Sequence, residues 1–275
     1  MANKRKVLVT GATGNIGSYF AEHAADRYDL RLMVQEEDDE SRKIAKHGEV
    51  VVGDITKLDR MKELCADMDT VVHLAADPSP GATWDSILPA NIVGTYNTLV
   101  AARSAGCRRV VYASSIHAIS GYPADVQVHT DDPPLPGDLY GVSKVFGEAL
   151  AGYLATQEGM SCICIRIGGF QPRSSVQGED VGLVDAWVSR RDLQQLIERC
   201  IDVDPEKVKF AIYHGLSNNR FKRMDITSAR RDLGYEPVDD AFEEQPDLKE
   251  LDLSDEVQSH SQQDEGAKSG IRKDV

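Results

Sequence analysis

Tyr140 and Lys144 are four residues apart in the segment Tyr140-Gly141-Val142-Ser143-Lys144, which opens a predicted helix. Positions i and i+4 share a helix face, so the phenol and the ammonium are neighbours. A free phenol ionises near about pH 10. A nearby cation stabilises the phenolate and lowers that value, toward the range in which a general base is useful. Ser115 closes a predicted strand in Ala113-Ser114-Ser115, where its hydroxyl can orient a substrate oxygen beside Tyr140. Ser115, Tyr140 and Lys144 are thus the candidate catalytic set.

A tyrosine and a lysine at this spacing arise often by chance, and a second motif gives them context. Glycine recurs at every third position in Thr10-Gly11-Ala12-Thr13-Gly14-Asn15-Ile16-Gly17, between a predicted strand and a predicted helix. Without a Cβ the chain turns tightly and lets a pyrophosphate approach the backbone. The helix N-terminus adds N–H groups and the positive end of its dipole. The first strand–helix junction of an α/β chain is the setting such a dinucleotide loop requires. Asp54 ends the third strand, where it can meet the adenosine, and His73-Leu74-Ala75-Ala76 ends the fourth, where small residues leave room. An acid about 20 residues beyond the glycines usually holds the ribose hydroxyls of NAD. Here that position reads Val34, with Glu36 as the candidate two residues on, and the nearest downstream arginine is Arg42. NAD is the favoured cofactor, with NADP not excluded.

The elements that must position these residues are legible as an alternation. Strand candidates begin at Lys6, Leu30, Glu49, Thr70, Arg109 and Cys162, and helical spacing separates most of them: Asn15–Asp26, Leu58–Ala66, Trp84–Ala105 and Tyr140–Gln157. Apolar strands alternating with helices predict an α/β, Rossmann-type doubly wound parallel sheet. After Arg166 the pattern loosens into a polar loop, a helix at Arg191–Ile201, a strand in Lys209-Phe-Ala-Ile-Tyr-His-Gly215 and a short helix. One domain over residues 1–242 is expected, with substrate-binding elements mainly within 167–240, followed by an acidic tail at 243–275 expected to be disordered.

Bulk properties narrow the function classes. The 275 residues carry a net charge of −14, and Asp239–Val275 alone holds twelve acidic against four basic residues. There is no basic stripe for nucleic acid and no basic amphipathic helix for a membrane surface. No apolar run approaches the roughly 18 residues of a membrane span, and no secretory apolar core follows the basic N-terminus. A cytoplasmic location is expected. The five cysteines lack framework or ligand spacing; Cys162 and Cys164 read as small core residues, and no metal is expected.

The ordered set formed by the glycine loop, Asp54-Ile55, His73–Ala76, Ala113–Ser115, Tyr140/Lys144 and Arg166–Gly169 resembles the extended short-chain dehydrogenases/reductases, the NAD-dependent epimerase/dehydratase family. The resemblance spans roughly residues 5–240. It implies that Ser115, Tyr140 and Lys144 are catalytic and that Tyr140 and Lys144 also meet the cofactor. It adds Gly11, Thr13, Gly14, Asn15, Ile16, Gly17, Glu36, Asp54, Ile55, Leu74, Ala75, Ala76, Asn91 and Ile167 as cofactor contacts. It makes Asp192 a structural acid, and Trp84–Ala105 with Tyr140–Gln157 the helices of a homodimer. Ile116-His117 after Ser115, the following Gly121-Tyr122-Pro123, and the segment from His214 to Pro237 look like the branch of uronate dehydrogenases and archaeal NAD-dependent glucose-6-phosphate dehydrogenases. That branch implies oxidation of the anomeric hydroxyl of a small sugar, a hexuronate or a sugar phosphate, to a lactone. Asp77, Ser115, His117, Tyr140, Gly169 and Arg173 are then the substrate contacts. The alternatives are a nucleotide-sugar epimerase, which needs a larger C-terminal region, and a non-catalytic cofactor-sensing regulator, against which the intact Tyr/Lys pair argues. Arg220, Lys222 and Arg223 read as a solvated strand edge.

Overall fold

The computed structural model describes residues 4–171 and 184–244. The chain runs β1 (Arg5–Thr10), α1 (Asn15–Ala24), β2 (Tyr28–Val34), α2 (Asp39–Ile44), β3 (Glu49–Val52), α3 (Leu58–Cys65) and β4 (Thr70–His73). It continues through α4 (Trp84–Ile87), a π-helical stretch (Leu88–Val93), α5 (Gly94–Ser104), β5 (Arg109–Ser115), a 3-10 turn (Ile116–Ile119), α6 (Leu139–Gln157) and β6 (Ser161–Ile167). Two short strands, β7 (Gly169–Phe170) and β8 (Trp187–Val188), lead to α7 (Arg190–Asp202), β9 (Phe210–Gly215), α8 (Thr227–Leu233) and α9 (Ala241–Glu244).

Seven strands form one sheet in the order β3-β2-β1-β4-β5-β6-β9, and all its pairings are parallel. This is the expected doubly wound arrangement, and the strand order reverses between β1 and β4, where ligands bind such sheets. Side chains alternate across each strand, and the alternation divides the core in two. Val7, Val9, Leu32, Val72, Val111, Ile163 and Ile165 pack on one face with α1 and α7. Leu8, Met33, Val71, Val110, Tyr112, Cys162 and Cys164 pack on the other, beneath α3, α5 and α6. The two cysteines are small core residues as expected, and all five thiols are buried and free.

Three local features depart from the sequence reading. The helix expected over Trp84–Ala105 is interrupted at Leu88–Val93 by a π turn carrying Pro89, whose missing N–H removes a rung of the helical ladder. Asp39–Ile44, unassigned from sequence, is helical because Asp38 and Ser41 form a reciprocal capping box. The basic cluster is not a solvated edge throughout: Arg223 is 9% exposed and donates to the Tyr122 carbonyl, while Lys222 donates to Asn219 O and Arg220 pairs with Asp240. Asp192 accepts from Ser217 Oγ (2.7 Å) and from the backbone N–H groups of Val238 and Asp239, a structural role. No helix among the described residues is long and apolar enough to cross a membrane, and no metal-binding cluster occurs among them. The tail from residue 245 and Arg173 lie outside the described residues.

Candidate active site

The C-terminal ends of β1, β4, β5 and β6 open into a cavity of about 760 Å³. A second cavity, about 450 Å³, adjoins it around the ends of β2 and β3, and Gly11, Ala75 and Ala76 line both. Gly11 has φ +69°, and a Cβ there would lie 2.9 Å from Ala75 N. A Cβ on Gly17 would lie 2.3 Å from Gly11 O, so the loop folds tightly against its own helix. Gly14 caps α1 without any side-chain hydrogen bond, leaving first-turn N–H groups to face the cavity lined by Gly14, Asn15, Ile16 and Gly17. Thr13 lines the smaller cavity. These residues fit a dinucleotide pyrophosphate.

Thr10 ties the loop to β4. Its Oγ1 accepts from Leu74 N and Ala75 N, both at 3.2 Å, so its own proton goes to His73 Nδ1 at 2.8 Å. His73 then turns Nε2–H toward Thr95 Oγ1 (3.3 Å). Burial, with the charge of Lys144 adding to it, pushes this histidine down to about 3, so it is neutral. On the smaller cavity's wall, Asp54 accepts from Thr56 N (2.8 Å), and that N–H holds its carboxyl below the usual range. Ile55 lines the same wall. The end of β2 presents Val34 and Gln35 there; Glu36 is exposed and does not line the cavity, since the strand stops at Val34.

Ser115, Tyr140 and Lys144, the candidate catalytic set, come together, with electrostatics that differ from the sequence expectation. Ser115, Tyr140 and Lys144 all line the larger cavity and are all buried. Lys144 Nζ lies 5.3 Å from the Tyr140 ring centroid and donates to Ala113 O at 2.9 Å. Tyr140 is not lowered. Burial pushes it up to about 12, a hydrogen bond from Ser115 pulls the other way, and Asp138 and Asp77 add to the rise. Burial also brings Lys144 down to about 8. Both shifts disfavour the charged form of a group taken out of water.

His117 lines the same cavity. Its Nδ1 donates to Asp138 Oδ2 at 2.6 Å, and its ring meets Tyr140 edge-on at 5.4 Å. Asp138 also caps α6 by accepting from Gly141 N (2.6 Å). A Cβ on Gly141 would lie 2.2 Å from His117 O, so this glycine lets the helix seat against the 3-10 turn. Ile167 and Gly169 line the cavity where β6 ends.

Two expected contacts sit elsewhere. Asn91 is fully buried and lines neither cavity; its side chain bonds Asp77 N, Asp77 O and Ser143 Oγ at 2.8–3.0 Å. It fixes the cofactor wall from behind. Asp77 lines the smaller cavity instead of the one holding Tyr140, and its carboxylate accepts from Ser79 N at 3.0 Å. Sequence reading overlooked Asp138, although an aspartate at the start of a predicted helix is an N-cap signal. It also overlooked Glu148, which accepts from Ser114 Oγ (2.6 Å) and from Arg166 twice (2.8 and 2.9 Å), clamping the strand that ends in Ser115.

A profile of the NAD dependent epimerase/dehydratase family matches residues 7–201. The chain is 34% identical to an NAD-dependent glucose-6-phosphate dehydrogenase of Haloferax volcanii, over 86% of this chain and 94% of the relative. It is 33% identical to an L-arabinose 1-dehydrogenase (NAD(P)(+)) of the same organism, over 86% and 97%. A crystal structure of a mutant uronate dehydrogenase from Agrobacterium tumefaciens, complexed with NAD, superposes with a TM-score of 0.76 at 30% identity, covering 87% of this chain and 88% of that one.

Proposed function

The chain belongs to the NAD-dependent epimerase/dehydratase family, and we propose that it is an NAD-dependent sugar dehydrogenase that oxidises the anomeric hydroxyl of a small sugar to the lactone. The observation that carries this reading is the convergence of Ser115, Tyr140 and His117 on one cavity that is continuous with the glycine loop. Relatives named for oxidising glucose 6-phosphate, arabinose and uronate agree in chemistry while differing in sugar.

Bound NAD supplies the hydride acceptor. Gly11–Gly17 and the first turn of α1 would hold its pyrophosphate, and Leu74, Ala75 and Ala76 would leave room beside it. Tyr140 takes the proton of the C1 hydroxyl, and Ser115 holds that oxygen. Because burial pushes the phenol up to about 12, Tyr140 must first ionise to take that proton, which positive charge at the site favours, and the Lys144 ammonium lies 5.3 Å from the ring. Asp138 fixes the His117 imidazole with the proton on Nδ1, orienting it to bond a sugar hydroxyl. Gly169 lines the same cavity and is assigned to the sugar end.

A panel of aldoses, hexuronates and sugar phosphates with NAD, followed at 340 nm, tests the reading. NADH forms with at least one sugar, and hydroxylamine traps the lactone product as a hydroxamate. Failure of every sugar overturns it.

A further inference from the structure

The end of β2, where a carboxylate would read the ribose by contact, presents none to the cavity. There β2 ends in the buried, apolar Val34, and the next wall residue is the amide Gln35. Valine neither bonds a 2′-hydroxyl nor repels a 2′-phosphate at short range. The chain then continues Glu36-Glu37-Asp38-Asp39-Glu40, five acids in succession and all exposed. Arg42 pairs with Asp39 and Lys43 with Glu40, each at 2.5 Å. Asp38 accepts from Ser41 N at 2.7 Å, and Glu36 and Glu37 make no ion pair among the described residues. On the cavity wall, Asp54 is held ionised by the Thr56 N–H, with Lys57 the cation acting on it. The balance of charge at this end is negative, and the 2′-phosphate of NADP would add nearly two more negative charges.

We propose that this chain selects NAD over NADP through the field of Glu36, Glu37 and Asp38, the exposed acids that directly follow the cavity-lining Gln35, not through a carboxylate touching the ribose, so that its selectivity weakens as salt rises. The proposal rests on the NAD-binding reading above. A contact carboxylate would act inside the shell that ions cannot enter. Charges acting through water are screened over about 10 Å at 0.1 M salt and about 3 Å at 1 M. Three such charges facing a phosphate are worth roughly tenfold in relative affinity at low salt.

Calorimetric titration of the purified protein with NAD and with NADP, at about 0.05 M and about 1 M salt, reads the effect directly. The ratio of the two Kd values is the quantity of interest, because the shared pyrophosphate cancels from it. The ratio is expected to fall about tenfold between the two salts. The double variant Glu36→Gln/Glu37→Gln, which removes exposed charges and no hydrogen bond described here, should lower the ratio at low salt and flatten its salt dependence. Val34→Asp should raise the ratio at both salts without flattening it. A wild-type ratio that does not respond to salt, or that the double variant leaves unchanged, overturns the proposal. Absence of NAD binding at both salts overturns the cofactor reading beneath it instead.

Discussion

Tyr140 and Lys144 are moved apart by one cause, burial, which raises the phenol to about 12 and lowers the ammonium to about 8. The i, i+4 spacing placed them side by side, as the sequence indicated. What spacing alone does not reveal is how much water the rest of the fold removes, and that decides the sign of the shift on Tyr140. On the proposed mechanism, Tyr140→Phe should lower kcat by about 10²–10⁴-fold with the fold intact, since it deletes the hydroxyl assigned as base. Lys144→Met should also lower kcat steeply, yet raise stability at pH 7 by on the order of 1 kcal/mol, because an ammonium held at about 8 is a destabilising buried charge. The linkage has a definite sign. Between about 8 and the ordinary 10.5 the unfolded chain binds more protons than the folded one, so stability rises with pH across that window. Chemical denaturation at pH 7 and pH 10 should show that rise in the wild type and lose it in Lys144→Met.

At the scale of elements, the sheet and most helices were legible because fully buried parallel strands are short apolar runs with few competing readings, as in Val7–Val9 and Arg109–Ser115. The π turn was not. Its apolar spacing continues from α4 into α5, and only Pro89 marks the break. That break matters to the site, because it carries Asn91 to the back of the cofactor wall, where its amide bonds both backbone groups of Asp77. The motif match placed Asn91 against the cofactor; the geometry makes it a brace. Asn91→Ala should leave Asp77 N and O without their amide partner, and Ser143 Oγ with only the Tyr140 carbonyl, costing about 1–3 kcal/mol in stability. Its kinetic effect should fall on the KM for NAD more than on kcat. Equal losses in both would place the residue in the chemistry itself.

At the scale of the whole molecule, two buried histidines set the acid limit. Burial pushes His73 to about 3 and His214 to about 4, so both fold neutral. Below about pH 6.5 the unfolded chain takes up protons the folded chain refuses, and stability falls by up to about 1.4 kcal/mol per pH unit for each. Urea denaturation from pH 7.5 to pH 5 should show the decline, and His73→Gln should reduce its slope. The outer helices carry a different signature. Trp84, Leu88 and Tyr96 before and along α5, with Val142 and Tyr153 of α6, are large apolar groups left 38–52% exposed. A homodimer formed through these helices would cover them; sedimentation should give twice the monomer mass, and Tyr96→Glu/Tyr153→Glu should halve it. The cavity itself is divided by origin. Its glycine-loop end is built from the strands and turns before Ala76, Ser115 and Tyr140 stand on β5 and α6, and Pro78, Pro80, Gly81 and the stretch Gly168–Gln171, which the proposed function gives to the sugar, complete the lining. Apart from His117, the segments proposed to meet the sugar are thus separate in the chain from Ser115 and Tyr140. On the proposed function, grafting those two short segments from a relative that takes a different sugar should shift the sugar preference of this chain while leaving Ser115, Tyr140 and Lys144 in place.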